Sequence, residues 1–222
     1  MKTKLLLIVS LFACFPLFSN YVVKPRRAFD KGSLLISISE GSTTARYSTT
    51  YTGETNLPTT RFSNEMDGIR DPLFIEFGLS RRWGIGLSSG ADIFHVNTKN
   101  YYNMNSTPGS ESKVTTSEFT FDVNYHIYTS AKKDLSVYGS VGAFGLSFNG
   151  MDGDQKVNYE AKGGIMRFGL KYRYYFFKRL GALVMVSAYS ADAAPVKEKT
   201  SSPYSTSLNG EAFEFGLCFR IF

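Results

Sequence analysis

Apolar and polar residues alternate with period two through most of the chain. The pattern is cleanest from Glu118 to Tyr128: Phe119, Phe121, Val123, Tyr125 and Ile127 share one face, and Glu118, Thr120, Asp122, Asn124 and His126 the other. Successive side chains of a strand point to opposite faces, so strict alternation over this length predicts a strand. Its polar face is too charged for a soluble core, and its apolar face too aromatic to stand in water. Four more segments repeat the pattern. They set Ile75 and Phe77 against Phe74 and Glu76, and Trp83, Ile85 and Leu87 against Gly84, Gly86 and Asp92. Later they set Phe168, Leu170, Tyr172 and Tyr174 against Arg167, Lys171 and Arg173, and Phe213, Phe215, Leu217, Phe219 and Ile221 against Glu214, Cys218 and Arg220. Residues 33–40, 135–148 and 183–189 alternate less cleanly, which brings the predicted strands to eight. In 135–148 both faces carry apolar and small residues, so its facing stays open.

The connections alternate short and long. Short ones lie at Arg81-Arg82, residues 131–134 and residues 177–180; long ones at residues 41–72, 97–113, 149–162 and 191–207. Lipid offers no hydrogen bonds, so strands cross a membrane only as a closed barrel. An apolar outer face, a polar inner face and alternating short and long connections predict an all-β, eight-stranded antiparallel up-and-down transmembrane β-barrel. Its short turns are periplasmic and its long loops extracellular. Basic residues mark each short turn beside aromatics, and Trp83, Tyr128, Tyr174 and Phe176 are read as the periplasmic interface girdle. The alternative is a soluble secreted sandwich or lipocalin-like barrel with the apolar face turned inward.

Residues 1–20, MKTKLLLIVSLFACFPLFSN, have a basic start, an apolar core and a small, polar end, the pattern of a cleaved secretory signal peptide. An uncleaved anchor and a lipoprotein signal at Cys14 are the alternatives. Residues 21–30 then form a short periplasmic segment and 31–222 the barrel. Removing two lysines takes the net charge from +6 to about +4. Aromatic content of 15%, with 19 Phe and 14 Tyr, excludes a wholly disordered chain. Two Cys and two His exclude a disulfide scaffold and a His-rich metal centre, and the scattered basic residues match no nucleic-acid-binding pattern.

Phe29-Asp30-Lys31-Gly32-Ser33, the segment GSVGAFGLSF at residues 139–148 and the terminal GLCFRIF at 216–222 resemble small eight-stranded outer-membrane barrels. These are barrels of the OmpA, OmpX and OmpW type, above all the outer membrane protein beta-barrel domain proteins of Bacteroidota. The resemblance spans roughly residues 29–222. It implies a cell outer-membrane location and partners in outer-membrane lipid, lipopolysaccharide, periplasmic chaperones and the barrel-assembly machinery. Phe219, Ile221 and Phe222 stand where such barrels carry their assembly signal, although Phe222 falls one step off the apolar stripe.

For function, Glu76, Asp92, Glu118, Asp122, Arg167, Lys171, Arg173 and Glu214 are expected to face the lumen as a charge network that plugs it, since buried charges need partners. A small-solute channel of the OmpW type is the second reading; it would add a lateral exit at Phe74, Phe94, Phe144 and Phe148, although core filling explains these residues better. A lipid-modifying enzyme is the third. His126 lies near the periplasmic end and His95 near the extracellular end with lipid-facing parity, so no catalytic residue is assigned. The G-x-S-x-G match at residues 86–90 lies inside a strand, not at a strand-to-helix elbow. Asp152, Asp154, Asn158 and Glu160 have oxygen ligands suited to Ca²⁺, but no EF-hand spacing, and no cofactor or metal is assigned. The Tyr/Ser/Asn-rich loops around Tyr47, Tyr51, Tyr101 and Tyr102 suit adaptable contacts with an extracellular ligand, and Arg46, Arg61 and Lys99 suit lipid phosphates. The expectation is a monomeric, non-enzymatic barrel acting through its surface loops.

Overall fold

A computed structural model describes residues 27–51, 61–96, 112–152, 155–196 and 204–221. Its strands are β1 (Leu34–Tyr51), β2 (Arg61–Arg70), β3 (Leu73–Gly78), β4 (Trp83–Val96), β5 (Ser112–Thr129), β6 (Lys133–Asp152), β7 (Gln155–Tyr175), β8 (Leu180–Pro195) and β9 (Tyr204–Arg220). All pairings are antiparallel, and β1 pairs with β9 from Leu35↔Arg220 to Tyr51↔Tyr204, which closes the sheet on itself. β2 and β3 both lie between β1 and β4 and share one place in the ring, so the barrel has eight walls. The register does not slip between them: Arg70 faces Gly41 and Leu73 faces Ile38. Pro72 breaks the ladder because it has no N–H to give. Its carbonyl still accepts from the Ser39 N–H at 3.1 Å, and the Asp71 N–H still donates to the Ala91 carbonyl at 3.1 Å.

Alternation along each strand becomes inside and outside of the ring. On β5, Phe119, Phe121, Val123 and Ile127 stand exposed on the outer surface, while Glu118, Thr120, Asp122, Asn124 and His126 are buried inside. On β7, Phe168 is 65% exposed and Arg167 beside it 4%. A soluble barrel with its apolar face inward would show the reverse. The apolar outer stretch of β5 spans about nine residues, which at about 3.4 Å each and a tilt of about 40° covers roughly 23 Å, the height of a lipid belt. β6 places Asp134, Ser136, Tyr138, Ser140, Phe144 and Leu146 inside, which settles the facing that residues 135–148 left open.

Above the belt the polarity inverts. Thr115 and Ser117 on β5, Lys162 on β7, Asp192 on β8 and Glu211 on β9 face out, and a cluster including Tyr47, Met66, Phe94, Val114, Phe144, Leu146, Ile165 and Leu208 packs inside. The upper barrel is therefore built like a soluble protein, with apolar residues in and polar residues out. The expected long loops are correspondingly shorter. β1 runs on to Tyr51 and β2 starts at Arg61, while β6 and β7 reach Asp152 and Gln155, inside the stretch 149–162 expected to be loop. β8 extends to Pro195 and β9 starts at Tyr204, within the expected loop 191–207. The outward apolar stripe stops at the membrane boundary, but the ladder does not. About eight residues of β6 continue beyond it, which carries the end of β6 roughly 20 Å further.

The lower end is capped by residues before β1. The Ala28 N–H donates to the Ser130 carbonyl at 2.5 Å, the Gly32 N–H to the Gly78 carbonyl at 2.8 Å, and the Gly78 N–H to the Ser33 carbonyl at 2.8 Å. Gly32 has φ +79°, a left-handed turn that favours glycine. Ala28 and Phe29 are completely buried under the mouth.

Candidate functional site: the closed interior

The interior is filled in tiers. At the lower mouth the Phe29 ring stacks on His126, centroids 3.4 Å apart and planes 11° from parallel. Above it four side chains from β3, β5, β6 and β7 make a closed cycle. His126 meets Asp134 Oδ1 through Nδ1 at 2.7 Å and Glu76 Oε1 through Nε2 at 2.8 Å. Arg173 donates to the second oxygen of each carboxylate, to Asp134 Oδ2 at 2.9 Å and Glu76 Oε2 at 2.5 Å. Each His126 ring nitrogen thus faces one oxygen of a carboxyl group whose other oxygen is bonded by Arg173. Gly84 gives the cycle room: a Cβ there would lie 2.5 Å from Glu76 Oε1.

The middle tier belongs to Lys171. Its Nζ donates to Asn124 Oδ1 at 3.0 Å, lies 3.9 Å from Asp122 Oδ2, and sits over the rings of Tyr138 at 4.1 Å and Phe74 at 4.6 Å. Asp122 Oδ1 accepts from Ser88 Oγ at 3.1 Å and Thr120 Oγ1 at 3.0 Å.

Arg70 organises the upper tier. It is 0% exposed and spends its three guanidinium nitrogens on three carboxylates from three other strands. Nη1 donates to Asp92 Oδ1 at 2.8 Å, Nε to Glu214 Oε1 at 3.0 Å, and Nη2 makes a short bond to Glu118 Oε1. Glu118 Oε2 accepts from Arg167 Nη2 at 2.8 Å, and the Arg167 guanidinium lies over the Tyr189 ring at 4.5 Å. Thr116 and Ser39 donate to the remaining oxygens of Asp92 and Glu214, at 3.1 and 3.0 Å. The apolar cluster of the upper barrel then covers this tier.

Among the described residues the buried carboxylates are Glu76, Asp92, Glu118, Asp122, Asp134 and Glu214, six in all. The buried arginines and lysine are Arg70, Arg167, Lys171, Arg173 and Arg220, five in all, with His126 as a sixth basic group. Arg220 stands apart at the lower rim, where Nη1 donates to the Arg27 carbonyl at 2.7 Å and Nη2 bonds the Lys178 carbonyl, tying the N-terminal segment to the last strand.

All eight residues read from the sequence as lumenal charges are buried, and they fall into three tiers. Three partners were missed. Arg70 sat inside the expected first loop and Asp134 in an expected turn, each beyond the apolar stripe that marked the strands. His126 was on the right face, but nothing near it in sequence announces the two carboxylates. Phe94 and Phe144 are buried in one apolar cluster with Phe148 packed against it, and Phe74 is buried in a second, so they fill the core. Trp83, Tyr128, Tyr174 and Phe176 stand exposed beside the lower turns. A bulge at Ile127, where the β5–β6 register shifts between His126 and Tyr128, turns both Ile127 and Tyr128 outward. Phe219 and Ile221 are half-buried at the end of β9, and Phe222 lies outside the described residues.

His95 faces out and His126 faces in, and both His126 nitrogens are taken by carboxylates. The motif serine, Ser88, faces the interior on the uninterrupted strand β4 and donates to Asp122, so the G-x-S-x-G match makes no elbow. Asp154, Tyr101, Tyr102 and Lys99 lie outside the described residues, as do the side chains of Asp152, Asn158, Tyr51 and Arg61. Among the described residues no group of three His, Cys, Asp or Glu is placed to hold a metal ion. Arg46 pairs with Glu65 at 3.1 Å on the exposed outer surface.

No family model and no curated protein matches the sequence. Solved structures do share the architecture. Ail, the attachment invasion locus protein of Yersinia pestis, is similar over 86% of this chain and 99% of its own, at 12% identity and a TM-score of 0.47. The outer membrane protein OprG of Pseudomonas aeruginosa is similar over 86% of this chain and 96% of its own, at 12% identity and 0.39. The outer membrane protease OmpT of Escherichia coli is similar over 85% and 96%, at 10% identity and 0.45. These are likenesses of fold. The closed ring, the apolar belt of lipid-spanning height and the buried charge network belong to this chain itself, and they make it an eight-stranded outer-membrane β-barrel.

Proposed function

We propose that the protein is a non-enzymatic surface barrel that works through what it displays above the membrane. The observation that carries this reading is the filling of the interior at every level. A strap under the lower mouth, three tiers of paired charges and an apolar core at the upper end leave little for a solute to pass through. The upper barrel then acts as a stalk that carries the upper ends of β1, β2, β4 and β5 beyond the apolar belt, and the segments 52–60 and 97–111 connect those ends. Export by a cleaved signal in residues 1–20, insertion by the assembly machinery with help from periplasmic chaperones, and contact with lipopolysaccharide belong to the same proposal. The protein takes no cofactor and works as a monomer.

The test replaces residues 97–111, and separately 52–60, with short Gly/Ser turns in cells that carry the protein. Barrel assembly, read by the heat-dependent gel shift, stays intact, while adherence of intact cells to extracellular matrix and glycan-coated surfaces falls. Unchanged adherence with both segments replaced would remove the proposal. The OmpW-like channel is the competing reading, and conductance separates the two.

A further inference from the structure

On the outer wall Phe121 and Val123 of β5, Gly139 and Val141 of β6, and Met166 and Phe168 of β7 border an open groove of about 580 Å³. It lies in the lipid belt, and its lining is almost wholly apolar. Its floor is Gly139. Many of the barrel's glycines are demanded by neighbours: a Cβ on Gly142 or Gly163 would lie 2.0 or 1.8 Å from a backbone oxygen. A Cβ on Gly139 would meet nothing within 4 Å, so packing within the chain does not require glycine there. The absent side chain makes room on the side facing lipid.

The groove also has a direction. Matched positions across β5, β6 and β7 are Val123–Gly139–Phe168, then Phe121–Val141–Met166, then Phe119–Ala143–Gly164, then Ser117–Gly145–Lys162. The groove itself spans the first two levels and reaches Ala188 and Ser190 on β8; above it on the same wall stand the small residues Ala143, Gly145 and Gly164, up to the level where the outer surface turns polar. A Cβ on Gly164 would find only the Gly142 carbonyl oxygen, at an ordinary 3.7 Å. Charge at the upper end is mixed, with Lys162 and Glu160 on β7 and Asp192 on β8, so no headgroup is selected there.

We propose that this groove seats one acyl chain of a lipid in the extracellular-side leaflet, with the chain lying along β6 and its end at Gly139. The surface around the groove already meets hydrocarbon, and the small residues between the groove and the belt's upper edge leave low ground for a chain descending from that leaflet. Ordered seating of a chain there would fix the β5–β7 wall against the bilayer while the rest of the belt meets exchanging lipid.

The test uses the whole protein extracted from outer membranes and reconstituted in phosphatidylcholine vesicles. These carry a trace of phosphatidylcholine with a photoactivatable diazirine at the chain end, or next to the chain carbonyl. The chain-end probe is expected to label Val141 and Phe168 well above Ile36 and Ile75 on the opposite wall. The carbonyl-end probe is expected to label near Gly145 and Gly164. Gly139→Leu puts a side chain into the groove at a position where its Cβ meets no protein atom within 4 Å. It should lower chain-end labelling on β6 and β7 by at least roughly tenfold, as loss of about two buried methylenes would. Labelling elsewhere and the heat-dependent gel shift stay unchanged. Val141→Phe narrows the same groove and should give the same fall. Even labelling around the belt, or labelling indifferent to both substitutions, would overturn the proposal. So would a reversed order, with the carbonyl end at Gly139.

Discussion

Arg70→Met asks the most of the charge network. The substitution keeps an unbranched side chain of similar length and removes one guanidinium that three carboxylates share. The three do not suffer equally. Glu118 keeps Arg167 on its second oxygen, and Asp92 keeps the Thr116 hydroxyl. Among the hydrogen bonds of the described residues, Glu214 keeps that from the Ser39 hydroxyl. Leaving a buried charge without its partner costs about 3–5 kcal/mol. Most of that cost should fall on Glu214, so Arg70→Met combined with Glu214→Gln should recover about 1–2 kcal/mol beyond additivity. The assay is urea unfolding in lipid vesicles followed by fluorescence of Trp83, the protein's one tryptophan, which stands at the lower girdle of the barrel. A loss below about 1 kcal/mol for Arg70→Met, the scale of an exposed pair, would refute the reasoning. So would strict additivity of the pair.

The tiers differ in a testable order. Arg173→Met opens the closed cycle with Glu76, Asp134 and His126 and should cost about 3–5 kcal/mol, whereas Lys171→Met leaves Asp122 its two hydroxyl donors and should cost about half as much in the same unfolding assay. Phe29→Ala removes a fully buried ring from the lower mouth; it should cost about 3 kcal/mol and let trypsin cut after Arg27 in the folded barrel. The polarity inversion predicts that Phe119→Arg costs roughly 2–4 kcal/mol while Thr115→Arg, on the same face of the same strand, costs less than about 1. Equal costs at the two positions would place the membrane boundary elsewhere.

The membrane half of the barrel was legible because lipid and lumen make opposite demands on alternate residues. Phe119 to His126 and Phe168 to Arg173 show both faces at once. The upper half was hidden because its alternation has the opposite sense and small amplitude: Thr43, Ala45 and Tyr47 turn in while Ser42, Thr44 and Arg46 turn out. Residues 135–148 straddle the inversion, so their inner face changes from Ser136 and Ser140 to Phe144 and Leu146, and no single periodic rule describes it. Arg70 was lost for a related reason. Pro72 punctuates the chain two residues later, and the strand that carries Arg70 resumes across the break without a register shift. Which charges meet is a property of ring closure: Arg70 reaches Glu214, 144 positions away, only because β1 pairs with β9.

Single-channel recording of the whole barrel in planar bilayers tests the closed interior most directly, with the heat-dependent gel shift as proof of folding. The account predicts a folded barrel that stays silent. Steady conductance that changes with Glu76→Gln or Lys171→Gln would show ions passing through the charge tiers and would contradict it.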